Sequence, residues 1–284
     1  MALVRRALLS SVILLATVMP SLAQQLYITN EPLETLELLN LGTGQLSTLY
    51  NIGAEPDDLI LNAAGQLIYS VPNPGTVNLY DPQKGTNSVL LSGVKYARDL
   101  LIEPGGQTML IAINAGGKIL RYNFTTGKVV TLSQKLGACD GIAYDGFGNL
   151  YAVANHNTIV QVNPVTGAVL STLVLEPHQG INGGDGLTYD TFTGNLWATH
   201  IGTTGTGLVQ IFTNATGFSP SGFTLFTLKP NFGFVPDGIK SDGKGNLYIG
   251  ASWTAAVYNI PGNAITEHFV VKGADGVSLV PGTY

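Results

Sequence analysis

A chain of 284 residues carries a formal net charge of -5, only 11 % charged side chains and 36 glycines. The acidic balance excludes the basic face that nucleic acid requires, and the glycines suit many short segments joined by tight turns. Cys139 is the only cysteine, which excludes an internal disulfide and leaves stability to the sizeable core that a chain of this length can bury.

The first segment, residues 1–23, places Arg5 and Arg6 before an apolar run over 7–18, with Ser21 and Ala23 as small residues at the cleavage positions. This is the pattern of a secretory signal peptide, so the mature domain is expected over 24–284, secreted or periplasmic. The run is shorter than the roughly 18 residues of a spanning helix, and no membrane insertion is expected.

Three strands are predicted next, over 26–30, 35–41 and 46–52. From Asp57 the units have four strands, the first over 59–61, 67–71, 77–80 and 88–91. Its hairpin turns recur at 145–149, 190–195 and 242–246, each followed by Leu-Tyr or Leu-Trp, and at 123–127 and 163–167. Aspartate or asparagine opens such turns through its own side chain, and glycine takes the positive φ.

Six aspartates pace these units: Asp57, Asp99, Asp140, Asp185, Asp237 and Asp275, each before a short apolar run, at intervals of roughly 40 to 50 residues, the period of propeller blades. The last one opens a strand whose three companions are missing. Those companions are the three N-terminal strands, so the chain is predicted to be an all-β, six-bladed β-propeller closed by pairing its C-terminal strand with them.

The six aspartates are then expected as a ring at one mouth of the channel. The loops holding His156, the segment from His200 to Gly207, and Trp253 share that mouth, with the longer segments 176–184 and 228–235, which include His178 and Phe232. Taken singly, each carboxylate can serve its own turn by accepting backbone N–H groups. Taken together, like charges at 4 Å repel by about 4 kcal/mol at an effective dielectric near 20, so the ring must take up protons, be solvated, or hold a cation. Oxygen ligands suit calcium. The candidate metal ligands are Asp140, Asp185, Asp237 and Asp275, and His156 and His200 are the candidate general bases. Trp253 and Phe232 are read as pocket walls, and Cys139 as a small buried filler. No Gly-x-Ser-x-Gly and no Gly-rich phosphate loop occurs.

Over 139–151 (CDGIAYDGFGNLY) and 236–248 (PDGIKSDGKGNLY) the chain resembles the six-bladed propellers with NHL repeats and the senescence marker protein/gluconolactonase family. That resemblance implies a divalent cation, often calcium, at the top of the channel, with Asp237 of Pro-Asp-Gly as one ligand and a lactone as substrate. The family's Glu-Gly-Pro and Ser-Asn-Gly motifs are absent, and Asp275, Asp140 and Asp185 stand at the corresponding ring positions. The repeat style is also similar to streptogramin-inactivating lyases, whose histidine and glutamate constellation has no place here. Two functions follow as expectations: an exported metal-dependent hydrolase of a small lactone or ester, or a non-catalytic propeller recognising a peptide, glycan or surface partner at the ring face.

Overall fold

Short apolar runs bounded by Asx and Gly turns can bury both faces only by stacking sheet on sheet. The computed structural model describes residues 25–175, 185–202, 205–228 and 235–282. The expected signal segment, His178 and Phe232 lie outside them.

The chain first lays down β1 (Gln25–Asn30), β2 (Thr35–Asn40) and β3 (Gln45–Asn51). Blade 2 follows as β4 (Leu59–Leu61), β5 (Leu67–Val71), β6 (Thr76–Asp81) and β7 (Thr86–Ser92), and blade 3 as β8 (Ala97–Ile102), β9 (Thr108–Ile113), β10 (Lys118–Asn123) and β11 (Val129–Ser133). Blade 4 holds β12 (Cys139–Tyr144), β13 (Leu150–Ala154), β14 (Thr158–Val162) and β15 (Val169–Val174). Blade 5 holds β16 (Leu187–Asp190), β17 (Asn195–Gly202), β18 (Gly205–Asn214) and β19 (Gly217–Thr227). Blade 6 holds β20 (Pro236–Ser241), β21 (Asn246–Ala251), β22 (Thr254–Asn259) and β23 (Ala264–Val270). Finally β24 (Ala274–Leu279) pairs antiparallel with β1, setting Leu26 opposite Leu279 and Ile28 opposite Val277, and completes blade 1. The chain is a six-bladed β-propeller closed as the sequence predicts.

The turns use the expected chemistry. Asp145 Oδ1 accepts the N–H groups of Phe147 and Asn149, both at 2.9 Å, and Asp242 Oδ1 those of Lys244 and Asn246 at 2.7 and 3.1 Å. The Leu-Tyr and Leu-Trp pairs that follow are core: Leu150, Tyr151, Leu196, Trp197, Leu247 and Tyr248 are fully buried.

Among the described residues the core is six apolar clusters, each drawn from two neighbouring blades. Cys139 sits in the cluster between blades 3 and 4, where burial pushes its thiol well above the ordinary value; it is the filler the sequence suggests. The cluster of Leu26, Val277, Tyr248 and Val257 joins blade 1 to blade 6 and shuts the circle. No helix among the described residues is long and apolar enough to cross a membrane.

A polar clasp links blades 3 and 4. Glu103 accepts hydrogen bonds from Arg121 at 2.6 and 2.7 Å, Thr108 at 2.7 Å and Tyr144 at 2.7 Å, while Arg121 also reaches the Pro164 carbonyl at 2.6 Å. Burial works to raise the Glu103 pKa, but the bonds from Arg121, Thr108 and Tyr144 hold it below the ordinary value. A depressed folded pKa gives stability that is present above the unfolded value and lost as pH falls through the folded one. Glu103→Gln is therefore expected to cost about 2 kcal/mol at pH 7, with the gap from wild type closing as urea titrations are repeated toward pH 3. A gap that stays constant with pH would refute the electrostatic account.

Candidate functional site

The Asp-Gly repeats owe their glycines to close approach between blades. A Cβ on Gly141 would lie 2.4 Å from the Asp185 carbonyl oxygen, one on Gly186 2.3 Å from that of Asp237, and one on Gly238 2.5 Å from that of Asp275. Gly276 likewise leaves only 2.8 Å to the Asp57 carbonyl oxygen. None of these four glycines has a positive φ. The motif thus marks the innermost strands meeting at the axis, not a turn.

Hydroxyls on the second strands fix which residues form the ring. Thr29 donates to the carbonyl of Asp57, Ser70 to that of Arg98 at 3.3 Å, and Thr199 to that of Asp237 at 3.1 Å. The residue of blade 3 in the ring is therefore Arg98, and the expectation of six ring aspartates is corrected at Asp99. Asp140 lies two residues before the buried Ile142, whereas Asp99 directly precedes the equivalent Leu100. Asp99 therefore falls one layer deeper, beside Asp58. The blade order of the ring is Asp275, Asp57, Arg98, Asp140, Asp185 and Asp237.

Neighbours in this ring resolve their charges in pairs. Arg98 forms an ion pair with Asp57. In the deeper layer Asp58 and Asp99 replace glycine and bridge to the next blade, accepting the N–H groups of Leu100 at 3.0 Å and Ile142 at 2.6 Å. Lys240 reaches across the axis from blade 6 and sets its Nζ 3.5 Å from Asp58 and 3.6 Å from Asp99. Asp237 and Asp275, from neighbouring blades, interact directly with each other. Burial first, and then Asp185, push Asp237 up to about 7; burial and Asp237 push Asp275 up as well. Each of two neighbouring carboxyls makes the charged form of the other costlier.

The remaining pair, Asp140 and Asp185, takes in His156. Its Nδ1 lies 3.4 Å from Asp140 Oδ2 and 3.5 Å from Asp185 Oδ1. One ligand atom from each of the three residues fits within 4.8 Å of the others. Asp140 is only 3 % exposed. Its Oδ1 accepts from Asn114 at 2.6 Å, while no hydrogen bond of normal geometry reaches Asp140 Oδ2 or His156 Nδ1. Burial, with Asp185 adding to it, raises the Asp140 carboxyl to about 6, and His156 is held above its ordinary value by Asp185 and then Asp140, against burial.

His156 owes its place to the hairpin between β13 and β14. Asn155 and His156 take φ of 51° and 63°, a left-handed pair that asparagine tolerates and histidine adopts less readily. Asn155 ties this turn to the segment before β12: its N–H donates to the Ala138 carbonyl at 2.8 Å and its Oδ1 accepts the Ala138 N–H at 3.2 Å. The strand that carries Asp140 and the turn that carries His156 are thus held together.

The six ring residues, with Asp58, Asp99, His156 and Lys240, line one axial cavity of about 250 Å³. Of the four candidate ligands, Asp140 and Asp185 form the cluster with His156, while Asp237 and Asp275 face the same cavity as a joined pair. His200, expected in a loop, is instead paired in the ladder opposite Gly207, because β17 and β18 extend into a long hairpin. It is buried and is not among the residues lining the cavity. Sequence reading passed over Arg98, Asp58 and Lys240; the spacing to the next buried apolar residue would have found Arg98 and Asp58, and nothing local marks Lys240.

No protein-family profile matches the sequence, and no curated protein matches it. Solved structures share the fold. A chain of a nidogen/laminin complex superposes with a TM-score of 0.72 at 15 % identity, over 91 % of this chain and 98 % of that one. A protein of unknown function from Bacteroides caccae gives 0.67 at 13 %, over 91 % and 99 %. Virginiamycin B lyase from Staphylococcus aureus gives 0.61 at 16 %, over 88 % and 85 %.

Proposed function

We propose that the axial cavity holds a divalent cation between Asp140, His156 and Asp185, and that the protein is an exported hydrolase opening a small lactone or ester there. The carrying observation is the convergence of three ligand atoms within 4.8 Å, with His156 Nδ1 at 3.4 and 3.5 Å from the two carboxylates, a spacing wider than a normal hydrogen bond. An imidazole beside two carboxylates favours manganese or zinc over calcium, which prefers an all-oxygen shell. A bound cation would polarise a carbonyl oxygen and acidify a bound water. Asp237 and Asp275 face the same cavity, where burial and their mutual repulsion favour proton uptake, so they are the groups to exchange a proton with the attacking water and the leaving oxygen.

Calorimetry of chelator-stripped protein with manganese, zinc and calcium is expected to show one site, lost in Asp140→Asn and in His156→Gln. Free cation at ten times Kd should add about 1.4 kcal/mol to stability. On a panel of lactones and aryl esters, turnover should need the cation, and Asp237→Asn should keep the cation but lose roughly a hundredfold in rate. Absence of binding by all three cations would overturn the site.

The second reading is a non-catalytic binding propeller with its partner at the ring face. It draws on the likeness to the nidogen/laminin chain, which spans 98 % of that chain, and a fold of this kind hosts many functions. Cation binding without turnover on any substrate of the panel would favour it.

A further inference from the structure

Beside the axial cavity lies a second pocket of about 220 Å³, walled by Glu31, Trp253 and Lys272 and sharing Asp237 and Asp275 with it. We infer that this pocket binds the ammonium group of an amine-bearing small molecule.

The chemistry of the walls is one-sided. Even with one proton on the Asp237 and Asp275 pair, two carboxylates face a single ammonium, Lys272, so the balance of charge favours a cation over an anion. Trp253 is 51 % exposed, and the Lys272 Nζ stands 5.3 Å from the centroid of its ring. An aromatic face with carboxylates around it is the environment that organic cations seek, and the protein's own ammonium already occupies that face. Lys272 is exposed and on a flexible stem, so a ligand ammonium can take its place.

The pocket is also built rather than incidental. Gly273 joins its three loops: its carbonyl accepts the Glu31 N–H at 3.0 Å and its own N–H donates to the Ser252 carbonyl at 2.6 Å. The Val271 N–H donates to the Trp253 carbonyl at 3.3 Å. Gly273 has φ +74°, and a Cβ there would lie 2.1 Å from Pro32 Cδ, so no other residue lets the loops close this tightly. The volume suits a headgroup of a few heavy atoms rather than a whole drug-sized ligand, whose pockets run from roughly 300 Å³ upward.

The test uses chelator-treated protein, so that it is independent of the proposed cation site. Choline and butylamine are titrated by tryptophan fluorescence and calorimetry, Trp253 being the reporter because Trp197 is fully buried. Both probes are expected to bind the wild type and to bind Asp140→Asn equally well. Trp253→Ala should weaken them roughly tenfold and Trp253→Phe less, with unfolding midpoints unchanged because the side chain is half exposed. Lys272→Met should tighten binding several-fold, since it removes the competing ammonium. No response to either amine, weaker amine binding in Lys272→Met, or binding of acetate that Lys272→Met abolishes would each overturn the inference. A failure here leaves cation binding at Asp140, His156 and Asp185 untouched.

Discussion

Lys240→Met is expected to lower the unfolding free energy by about 3 kcal/mol at pH 7, at the low end of what breaking a buried charge cluster costs. The ammonium sits between Asp58 and Asp99 at 3.5 and 3.6 Å, where both carboxylates are buried. Burial drives Asp99 well above the ordinary aspartate value and Lys240 opposes that shift. Methionine keeps most of the volume, so the loss reports charge and not a cavity. The Lys240 pKa is itself raised by the two aspartates against burial. Its contribution is therefore complete below the unfolded lysine value and fades only as pH rises through the folded one, which places pH 7 in the region of full effect. Two signatures follow in urea titrations. The gap from wild type should shrink in acid, where the orphaned carboxyls take up protons. Adding Asp58→Asn and Asp99→Asn to Lys240→Met should recover most of the stability, as removing a whole buried ionic cluster is often nearly neutral. A single substitution within 0.5 kcal/mol of wild type would mean that water, not Lys240, satisfies the two aspartates.

The blade count and its closure were legible because they depend on local rules. Asp275 before an unaccompanied strand announces the missing companions, and Leu-Tyr after an Asx-Gly turn announces a buried second strand. The site was legible only halfway. Asp140, Asp185, Asp237 and Asp275 do face one cavity, but how their charges are settled depends on partners in the next blade or across the axis. Arg98 was hidden by an aspartate beside it that matched the repeat by eye while standing one residue out of register. Lys240 follows an Asp-Gly pair and one apolar residue, as the equivalent positions of the neighbouring blades do, and only the closed ring shows that blade 6 faces Asp58 and Asp99 across the axis. His156 and His200 both stand where a second strand was expected to end; one enters a tight left-handed turn onto the mouth, and the other continues into a longer ladder because its hairpin extends to Gly202 and Gly205.

The same close packing at the axis that closes the ring also sets the spacing of its carboxylates, and Gly141→Ala separates the two consequences from ordinary glycine effects. The added Cβ would lie 2.4 Å from the Asp185 carbonyl oxygen and 2.6 Å from the Leu187 nitrogen, both backbone atoms that cannot rotate away. Overpacking of this kind costs about 3 kcal/mol, and it is relieved only by moving β12 away from the start of blade 5. That movement carries Asp140 away from Asp185, so cation affinity should fall together with stability. Gly85→Ala is the matched control: its φ is +65° but nothing lies within 4 Å of the new Cβ, so it should cost about 1 kcal/mol through backbone strain alone and leave cation binding unchanged. Urea titration reads the first effect and calorimetry the second. If Gly141→Ala were destabilised by this amount and still bound the cation as wild type does, the contact between the two strands would hold the propeller together without holding the ligands in place, and the cluster would have to owe its geometry to the His156 turn and its tie to Ala138.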